Sequence, residues 1–414
     1  MSTAEHRGLL GTAPAARLPT PAPLAENWLL DPNIIFLNHG SFGGMPRAVR
    51  EAQLRHQERL QREPVRFFVE LLEPMLDAAR HAAARFVGCE PEGFVFVTNA
   101  TEAVSTVLRS RRFEPGDELL TSAHEYAACT NALSRTAARW GATVVRAPVP
   151  FPVRDEDEVF AAVCGAATAR TRLALISHVT SPTGFIQPVE RIVRELEGRG
   201  IDCLVDGAHA PGMLDIGVAG LGAAYYTGNF HKWVCAPPGS AFLHVRADRR
   251  ADLHPLVISH GYSSARTDRT RLRLEFDYVG SRDPSAWLSV PDAIASMAGL
   301  VPGGWPEIRR RNRELALAAR GLLCARLGTE PLVPDRMLGS MAAVEVPGRT
   351  PAEDAQPTRY HDPLHDRLLE RHRVQVPIIP FPAPPARHVR ISAQLYNSLE
   401  QYEYLAEAIR AETR

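Results

Sequence analysis

The sequence is poor in features that would assign it to several other classes of protein. Its 47 basic and 47 acidic residues cancel, so no overall field favours nucleic acid or an anionic membrane as a partner. No apolar run approaches the length of a membrane-spanning helix, and the first thirty residues lack the basic start and apolar core of a signal peptide. We therefore expect a cytoplasmic protein without nucleic-acid or membrane partners.

Cysteine and lysine are scarce as well. The six cysteines are scattered without a CxxC pair for zinc or redox chemistry, and we expect them to be isolated buried thiols. Lysine is rare because arginine supplies most of the positive charge. Lys232 lies between His231 and Trp233 in an apolar stretch, so it is difficult to explain as surface charge. No metal site is predicted.

What the sequence does contain is an alternation of apolar strand-like runs and helical segments through residues 94–245. This alternation predicts an α/β fold with a mostly parallel sheet covered by helices on both faces. Beyond residue 245 the pattern changes. We predict a flexible N-terminal arm (1–30), a large α/β domain (31–300, with 31–62 free to pack on the small domain), and a small C-terminal α+β domain (301–414) with a polar exposed loop at 347–357.

The turns after the predicted strands carry polar residues. Asn99 follows the run Phe94–Val97 and can cap the next helix with Glu102 in the reciprocal position. Such a helix start suits a phosphate, although an ordinary strand-to-helix turn has the same pattern. Two further apolar runs lead to Asp206 and to the loop that holds Lys232. In parallel sheets, ligands bind at the carboxyl ends of the strands, where these turns lie.

Asp206 and Lys232 occur in the order that a protein needs to hold a pyridine ring. A carboxylate against the ring nitrogen keeps it protonated, and a buried lysine with a neutral amine forms an imine with an aldehyde. Taken singly, Asp206 is also explained as a helix cap and His209 as a buried histidine. Their joint order is consistent with pyridoxal 5'-phosphate bonded to Lys232, although the local pattern by itself does not decide the cofactor.

Five motifs taken together resemble the class V aminotransferase superfamily, whose members are PLP-dependent fold-type I enzymes, and are most similar to its isopenicillin N epimerase-like branch. The resemblance runs from about Phe36 to the C terminus. It implies a large PLP-binding domain, a small C-terminal domain, and a homodimer with active sites at the subunit interface. The motifs lie at residues 37–43, 98–101, 206–209, 228–233 and 389–397.

Carried over to this sequence, the resemblance implies catalytic and cofactor roles. Lys232 would form the internal Schiff base and move protons at the substrate Cα. Asp206 would pair with the pyridinium, and His209 would approach the phenolic oxygen. In this family an aromatic residue stacks on the ring; Tyr126 aligns best, and His124 is the alternative. The phosphate would be held by Asn99, Ala100, Thr101, Asn229 and His231, and by Ser281 of the partner subunit, where the family usually has threonine.

The resemblance also implies a substrate site. Arg390 would bind the substrate carboxylate through two parallel hydrogen bonds, as a planar guanidinium can. Asn38 and His39 would lie near the substrate. Three other aromatic residues could shape the side-chain pocket, but they are equally well explained as core or surface aromatics: Phe67, Tyr262 and Phe381.

The resemblance implies chemistry at Cα but leaves the reaction open. The first hypothesis is epimerisation of an amino acid, or of the amino-acid end of a secondary metabolite on the way to an antibiotic; this needs a second base such as His39 or Tyr126. The alternatives are a C–S lyase that eliminates a β-substituent from a cysteine conjugate, a decarboxylating oxidase, and a non-catalytic PLP-binding module. A desulfurase is disfavoured because no cysteine follows Cys324, where that group of enzymes places its nucleophile.

Overall fold

The computed structural model describes residues 18–348 and 362–413. The first seventeen residues of the predicted arm and most of the predicted loop at 347–357 lie outside the described residues. The strands of the described part are β1 (Ile35–Phe36), β2 (Phe94–Val97), β3 (Glu118–Ser122), β4 (Thr143–Ala147), β5 (Thr171–Ser177), β6 (Asp202–Asp206), β7 (Tyr225–Asn229), β8 (Ala241–Val245), β9 (Met341–Glu345), β10 (Val374–Gln375), β11 (Ile378–Pro380) and β12 (Arg387–Ser392).

Seven of these strands form the central sheet, in the order β2-β8-β7-β6-β5-β3-β4. Strands β3 to β7 are parallel, and β8 runs antiparallel to both of its neighbours. The predicted mostly parallel α/β sheet is thereby confirmed. Because β5, β6 and β7 are adjacent and parallel, their carboxyl ends meet along one edge of the sheet.

Helices cover both faces of this sheet. Alternate residues of β2 show the division, since Phe94 and Phe96 enter one hydrophobic core while Val95 and Val97 enter the other. The helices are α1 (His39–Phe42), α2 (Arg47–Arg62), α3 (Pro64–Arg66), α4 (Leu72–Val87), α5 (Ala100–Ser110), α6 (Ala127–Trp140), α7 (Glu156–Gly165), α8 (Val189–Gly198), α9 (Val218–Leu221), α10 (Arg271–Phe276), α11 (Ser285–Leu288), α12 (Val290–Ala298), α13 (Gly304–Leu327), α14 (Pro363–His372) and α15 (Leu399–Thr413).

The small sheet near the C terminus brings Arg390 to the edge of the large domain. Strands β11, β12 and β9 pair antiparallel, with Arg390 in the middle of β12. The apolar run from 374 to 379 reads as one strand in the sequence, but the structure divides it. Pro377 lacks a backbone N–H and interrupts the run, so β10 pairs with β1 and β11 pairs with β12.

Residues 18–30 differ from the flexible arm expected from the sequence. Pro23–Asn27 form a 3-10 helix, and the following Trp28 is buried. The Trp28 indole donates a hydrogen bond to the Gly44 carbonyl at 3.0 Å and packs edge-on against Tyr396 with ring centroids 5.2 Å apart. Burial of this large aromatic side chain fixes the segment. In the described part of the chain, no helix is both long and apolar enough to cross a membrane.

Candidate active site

A cavity of about 500 Å³ opens at the carboxyl ends of β5, β6 and β7. Its position agrees with the rule for open α/β sheets, because the strand ends supply turns whose side chains all point to one edge. The residues that line the cavity are Ser41, Phe42, Thr98, Asn99, Ala100, Thr101, Tyr126, Ala128, Ser177, Val179, Ser181, Asp206, Ala208, His209, Asn229, His231, Lys232 and Gly239.

Lys232 is the only lysine of the chain, and burial of its side chain favours the neutral form of the amine. Lys232 Nζ lies 3.1 Å from His209 Nε2. The Trp233 indole can only donate and lies 3.5 Å from His209 Nδ1, which favours the tautomer with the proton on Nε2. In this tautomer the Nε2 proton points at Lys232, whose amine accepts the hydrogen bond when it is neutral. Burial and, next, the charge of Arg390 lower the pKa of Lys232 to about 7, and the neutral amine is a nucleophile and a base.

Asp206 lies at the end of β6, and each of its carboxylate oxygens accepts one hydrogen bond. Oδ1 accepts the Ala208 N–H at 2.9 Å, and Oδ2 accepts the thiol of Cys129 at 3.3 Å. Burial raises the pKa of Asp206, which Ala208, Lys232 and Cys129 oppose. A buried carboxylate at a cavity wall is well suited to a cationic ring nitrogen, because the opposite charge would restore the ionised form.

The start of α5 forms another wall of the cavity. Asn99 caps this helix as predicted, since its Oδ1 accepts the Glu102 N–H at 2.9 Å. The reciprocal bond differs from the prediction, because the Glu102 carboxylate accepts the Thr98 N–H at 2.8 Å, one residue before the expected partner. The Ala100 N–H donates to Asn229 Oδ1 at 2.9 Å, so this N–H is already used and the Asn229 amide group keeps its NH2 for a ligand. Thr101 lines the same wall. The groups that suit a phosphate at this helix terminus are therefore Thr101 and the NH2 of Asn229, because the N–H groups of Ala100 and Glu102 are taken.

His231 also lines the cavity, and its ring is oriented by the backbone. His231 Nδ1 lies 3.0 Å from the Ser240 carbonyl, so Nδ1 carries the proton. Burial and, next, Lys232 lower the pKa of His231 to about 4. In this neutral form Nε2 is an acceptor; His231 would donate to a phosphate only after the phosphate charge had protonated it.

Arg390 is buried behind the cavity wall and is held by two serines that line the cavity. Its Nη1 donates to the Ser181 carbonyl at 2.6 Å, and its Nη2 donates to Ser41 Oγ at 2.9 Å and to Asn38 Oδ1 at 3.4 Å. This places a guanidinium next to the cavity through contacts that a substrate carboxylate could replace.

The short helix α1, which carries Ser41, ends at its C-cap Gly43 against the loop that holds Lys232. Gly43 adopts φ +75°, and a Cβ there would lie 1.9 Å from the His231 carbonyl oxygen. A side chain at this position would therefore displace the backbone beside Lys232. This close approach sets the spacing between Ser41, which binds Arg390, and the loop that holds Lys232.

His39 is brought near Lys232 but does not line the cavity. Its Nδ1 lies 2.9 Å from the Tyr396 hydroxyl, and its Nε2 lies 3.1 Å from the Lys232 carbonyl. Burial lowers the pKa of His39 to about 3. Both nitrogens are engaged inside the protein, which argues against His39 as the second base.

The structure separates the two candidates for the stacking residue. Tyr126 lines the cavity, with 48% of its surface exposed. His124 is buried, with Nδ1 3.0 Å from Thr183 Oγ1 and Nε2 3.3 Å from the Val149 carbonyl. The aromatic residues suggested for a substrate pocket lie elsewhere: Phe381 packs against His124, Phe67 is in the core, and Tyr262 is exposed on the surface.

Ser281 does not reach this cavity. It lies in a separate surface cavity with Gln57, Phe68 and Arg282, and its hydroxyl is 3.1 Å from that of Tyr278. A contact between Ser281 and a phosphate therefore requires a second copy of the chain, as the resemblance implies.

Several residues at the site carried no usable signal in the sequence. Phe42 is 68% exposed at the cavity. In the sequence, only the glycines on either side of it, Gly40 and Gly43, indicated a position near a ligand. Ser177 and Ser181 are ordinary serines at a strand end and in a turn. Cys129 lies in the first turn of α6 and contacts Asp206 only through the fold.

The fold and the site define a class of protein: a fold-type I enzyme with a lysine, a carboxylate and a helix start around one cavity. A solved structure of C-DES, a mutant with glycine covalently linked to its PLP cofactor, superposes with a TM-score of 0.75 at 19% identity and covers 91% of this chain and 96% of that one. This likeness shows the fold.

Residues 58–355 match the family Aminotransferase class-V. The chain is 38% identical to isopenicillin N epimerase of Amycolatopsis lactamdurans, covering 93% of this chain and 96% of that protein. It is 34% identical to a probable chloroplastic L-cysteine desulfhydrase of Arabidopsis thaliana, covering 92% and 83%. The chain belongs to the class V aminotransferase family. The family predicted from the motifs is confirmed, and with it the predicted cofactor, pyridoxal 5'-phosphate.

Proposed function

We propose that this protein is a PLP-dependent enzyme that epimerises the Cα of an amino acid or of an amino-acid-bearing secondary metabolite. The observation that carries the proposal is the buried amine of Lys232, which lines one cavity together with Asp206 and lies 3.1 Å from His209 Nε2. When bound, the cofactor supplies an electron sink for the bond that breaks at Cα. The 38% identity to an isopenicillin N epimerase over nearly both chains supports this reaction.

The residues of the chain divide the work between them. Lys232 would hold the cofactor aldehyde and, once freed, would take a proton from the substrate Cα with Nζ. Asp206 would keep the ring nitrogen protonated, and His209 would serve the phenolic oxygen. Thr101, in the first turn of α5, and Asn229 would hold the phosphate. Arg390 binds the substrate carboxylate and orients Cα towards Lys232.

Epimerisation also requires an acid on the other face of Cα. Tyr126 is the candidate, because it lines the cavity with its side chain partly exposed while His39 is enclosed. The Tyr126 hydroxyl would return the proton from the side opposite Lys232. Its ring would stack on the cofactor at the same time.

A C–S lyase is the second candidate function. A β-elimination needs one base, and Lys232 suffices: it takes the Cα proton while the thiolate leaves Cβ with the bonding electron pair. The 34% identity to the Arabidopsis desulfhydrase supports this alternative. A persulfide reaction is disfavoured, because no cysteine follows Cys324 and Cys129 is buried with its thiol on Asp206.

We also propose a homodimer in which Ser281 of the partner subunit contacts the phosphate. Ser281 lies outside its own cavity. Apolar side chains that a second copy would cover are exposed, with Phe42 at 68%, Val65 at 77% and Val69 at 75%. These exposures support burial against a second copy.

The experiment that tests the function follows candidate amino acids and cysteine conjugates in heavy water. Deuterium at Cα with loss of optical purity is expected for an epimerase. Pyruvate and a released thiol would instead assign the lyase, and carbon dioxide with oxygen uptake would assign a decarboxylating oxidase. If the loaded protein gives none of these outcomes with any substrate, the enzyme proposal is wrong.

A further inference from the structure

A second buried carboxyl lies beside Asp206 and has no role in the proposed function. Glu125 sits in the turn between β3 and α6 and is 5% exposed. Its Oε1 accepts the Ser177 N–H at 2.7 Å, and its Oε2 is 2.6 Å from Ser177 Oγ. An ionised carboxylate in such a place is costly unless a cation accompanies it. In the described part of the chain, no ion pair of Glu125 occurs within 4.0 Å.

Ser177 connects this carboxyl to the cofactor cavity. It is the last residue of β5, and its Cα is paired with that of Asp206 in the parallel register of β5 and β6. Both residues line the cavity. Ser177 therefore has Glu125 on one side and the cavity on the other.

The surroundings of Glu125 are themselves acidic. Asp206, on β6, and Cys129, on α6, are the titratable groups coupled to it through charge. Asp206 takes its hydrogen bonds from Ala208 and Cys129, so the two carboxyls interact without sharing a proton directly. Burial, and to a smaller degree Asp206, raise the pKa of Glu125 to about 8, against the opposing hydrogen bonds from Ser177.

The geometry points to Glu125 as a positioning residue: as a neutral acid it donates to Ser177 Oγ and turns the Ser177 hydroxyl proton into the cofactor cavity. This inference rests on the proposed function. Since Oε1 already accepts the Ser177 N–H, the acid proton lies on Oε2 and points at Ser177 Oγ. The serine hydroxyl is then free to donate to an acceptor atom of the cofactor. An ionised Glu125 would reverse the bond, and only serine lone pairs would face the cavity.

The protonation of Glu125 is tested on the full-length protein freed of cofactor. The infrared difference between wild type and Glu125→Gln at pH 7 should contain the C=O stretch of a protonated carboxylic acid. Glu275→Gln is the matched control, because Glu275 is equally buried but has His254 at 2.7 Å and Arg271 at 3.4 Å; its difference should show a carboxylate. A carboxylate band from Glu125 at pH 7 overturns the inference without involving the cofactor.

The donation by Ser177 is tested with pyridoxine 5'-phosphate, which has no aldehyde and binds without reacting with Lys232. Glutamine at position 125 imitates the neutral acid, because its amide accepts from the Ser177 N–H and donates to Oγ. The ratio of Kd for wild type to Kd for Glu125→Gln should be near one at pH 6.5 and rise about threefold or more by pH 9, the effect of one lost hydrogen bond. When both proteins also carry Ser177→Ala, the same ratio of Kd values should stay constant with pH.

If the ratio of the two Kd values does not change with pH, the inference is wrong, and the proposed function is unaffected. If pyridoxine 5'-phosphate binds to none of the proteins and Lys232 is not labelled by PLP, the proposed function fails instead, and the infrared experiment still decides the state of Glu125. Circular dichroism melting of Glu125→Gln and Ser177→Ala shows that the compared proteins are folded.

Discussion

The inner end of the cavity and its mouth are built in different ways. At the inner end, Asp206 and Arg390 are 3% and 4% exposed, and each is held by hydrogen bonds from its own chain. At the mouth, Phe42 and Tyr126 are 68% and 48% exposed. The residues at the inner end thus hold one another within a single chain, while those at the mouth are exposed where the proposed substrate and second copy would bind. Changes at the inner end should damage every reaction, and changes at the mouth should separate reactions.

The largest effect is expected from Lys232→Ala. Loss of the only amine at the inner end should prevent covalent attachment of the cofactor and reduce activity by about 1,000-fold or more. Borohydride reduction after loading with PLP, followed by peptide mass spectrometry, checks this, because the chain has a single lysine. Labelling confined to another amine, such as the N terminus of the wild type, would show that the inner end is assigned wrongly.

Asp206→Asn comes next. The amide keeps the shape and can still accept from the Ala208 N–H, but it loses the charge opposite the ring nitrogen. We expect kcat to fall about 100-fold, the scale found when one preorganised electrostatic partner is removed. Cys129→Ala is the matched control, since it removes only the thiol donor of the same carboxylate. If the Asp206→Asn variant kept full activity, the ring nitrogen would have another partner.

Arg390→Lys tests the carboxylate site. A lysine keeps the charge but lacks the planar fork, so KM should rise about 10-fold to 100-fold while covalent cofactor attachment persists. The control is His388→Asn. His388 lies two residues before Arg390 on β12, and its Nε2 is 2.8 Å from the Pro182 carbonyl. This variant should keep KM within a few-fold of the wild-type value. An equal rise in both variants would mean that β12 acts by packing alone.

Arg390→Gln gives a pH test of the same residue. The charge of Arg390 lowers the pKa of Lys232, second to burial, and the wild-type value is about 7. Removing the charge raises that pKa, so less neutral amine is present at pH 7 and the rate profile moves to higher pH. Competitive labelling of the single lysine in cofactor-free protein measures the shift directly. A profile that moved to lower pH would contradict the electrostatic assignment.

The smallest effect on cofactor binding is expected at the mouth, from Tyr126→Phe. The phenyl ring still stacks, so PLP affinity should change less than about twofold, while epimerisation loses its second acid and falls about tenfold or more. β-Elimination from a cysteine conjugate should be unaffected, because it uses Lys232 alone. If the Tyr126→Phe variant lost both activities equally, Tyr126 would act in substrate binding. If it kept both activities, Tyr126 would not be the second acid.

The inner end was more predictable than the mouth for a physical reason. Asp206 and Lys232 follow consecutive strands, and parallel strands deliver their carboxyl ends to one edge whatever the details of packing. Asn99 could be assigned as a cap because the capping bond is local. The contacts of Arg390 with Ser41 and Ser181 join residues more than 200 positions apart, so no local pattern contains them.

The errors and gaps have similar causes. Residues 18–30 were predicted to be flexible because their composition is rich in proline and alanine, yet one buried side chain, Trp28, anchors them. The apolar run at 374–379 has the composition of a single strand, but Pro377, which lacks a backbone N–H, divides it. His39 belongs to a motif, but the fold encloses both ring nitrogens.

The sequence by itself determined the alternation of strands and helices, the family, the cofactor and the single lysine that can bond to it, because these depend on local periodicity and on residue order. Only the tertiary structure decided that Tyr126 rather than His124 faces the cavity, that the Lys232 amine lies against His209, and that Glu125 meets Ser177. Those facts depend on which distant side chains share a buried volume and on the hydrogen bonds that burial requires.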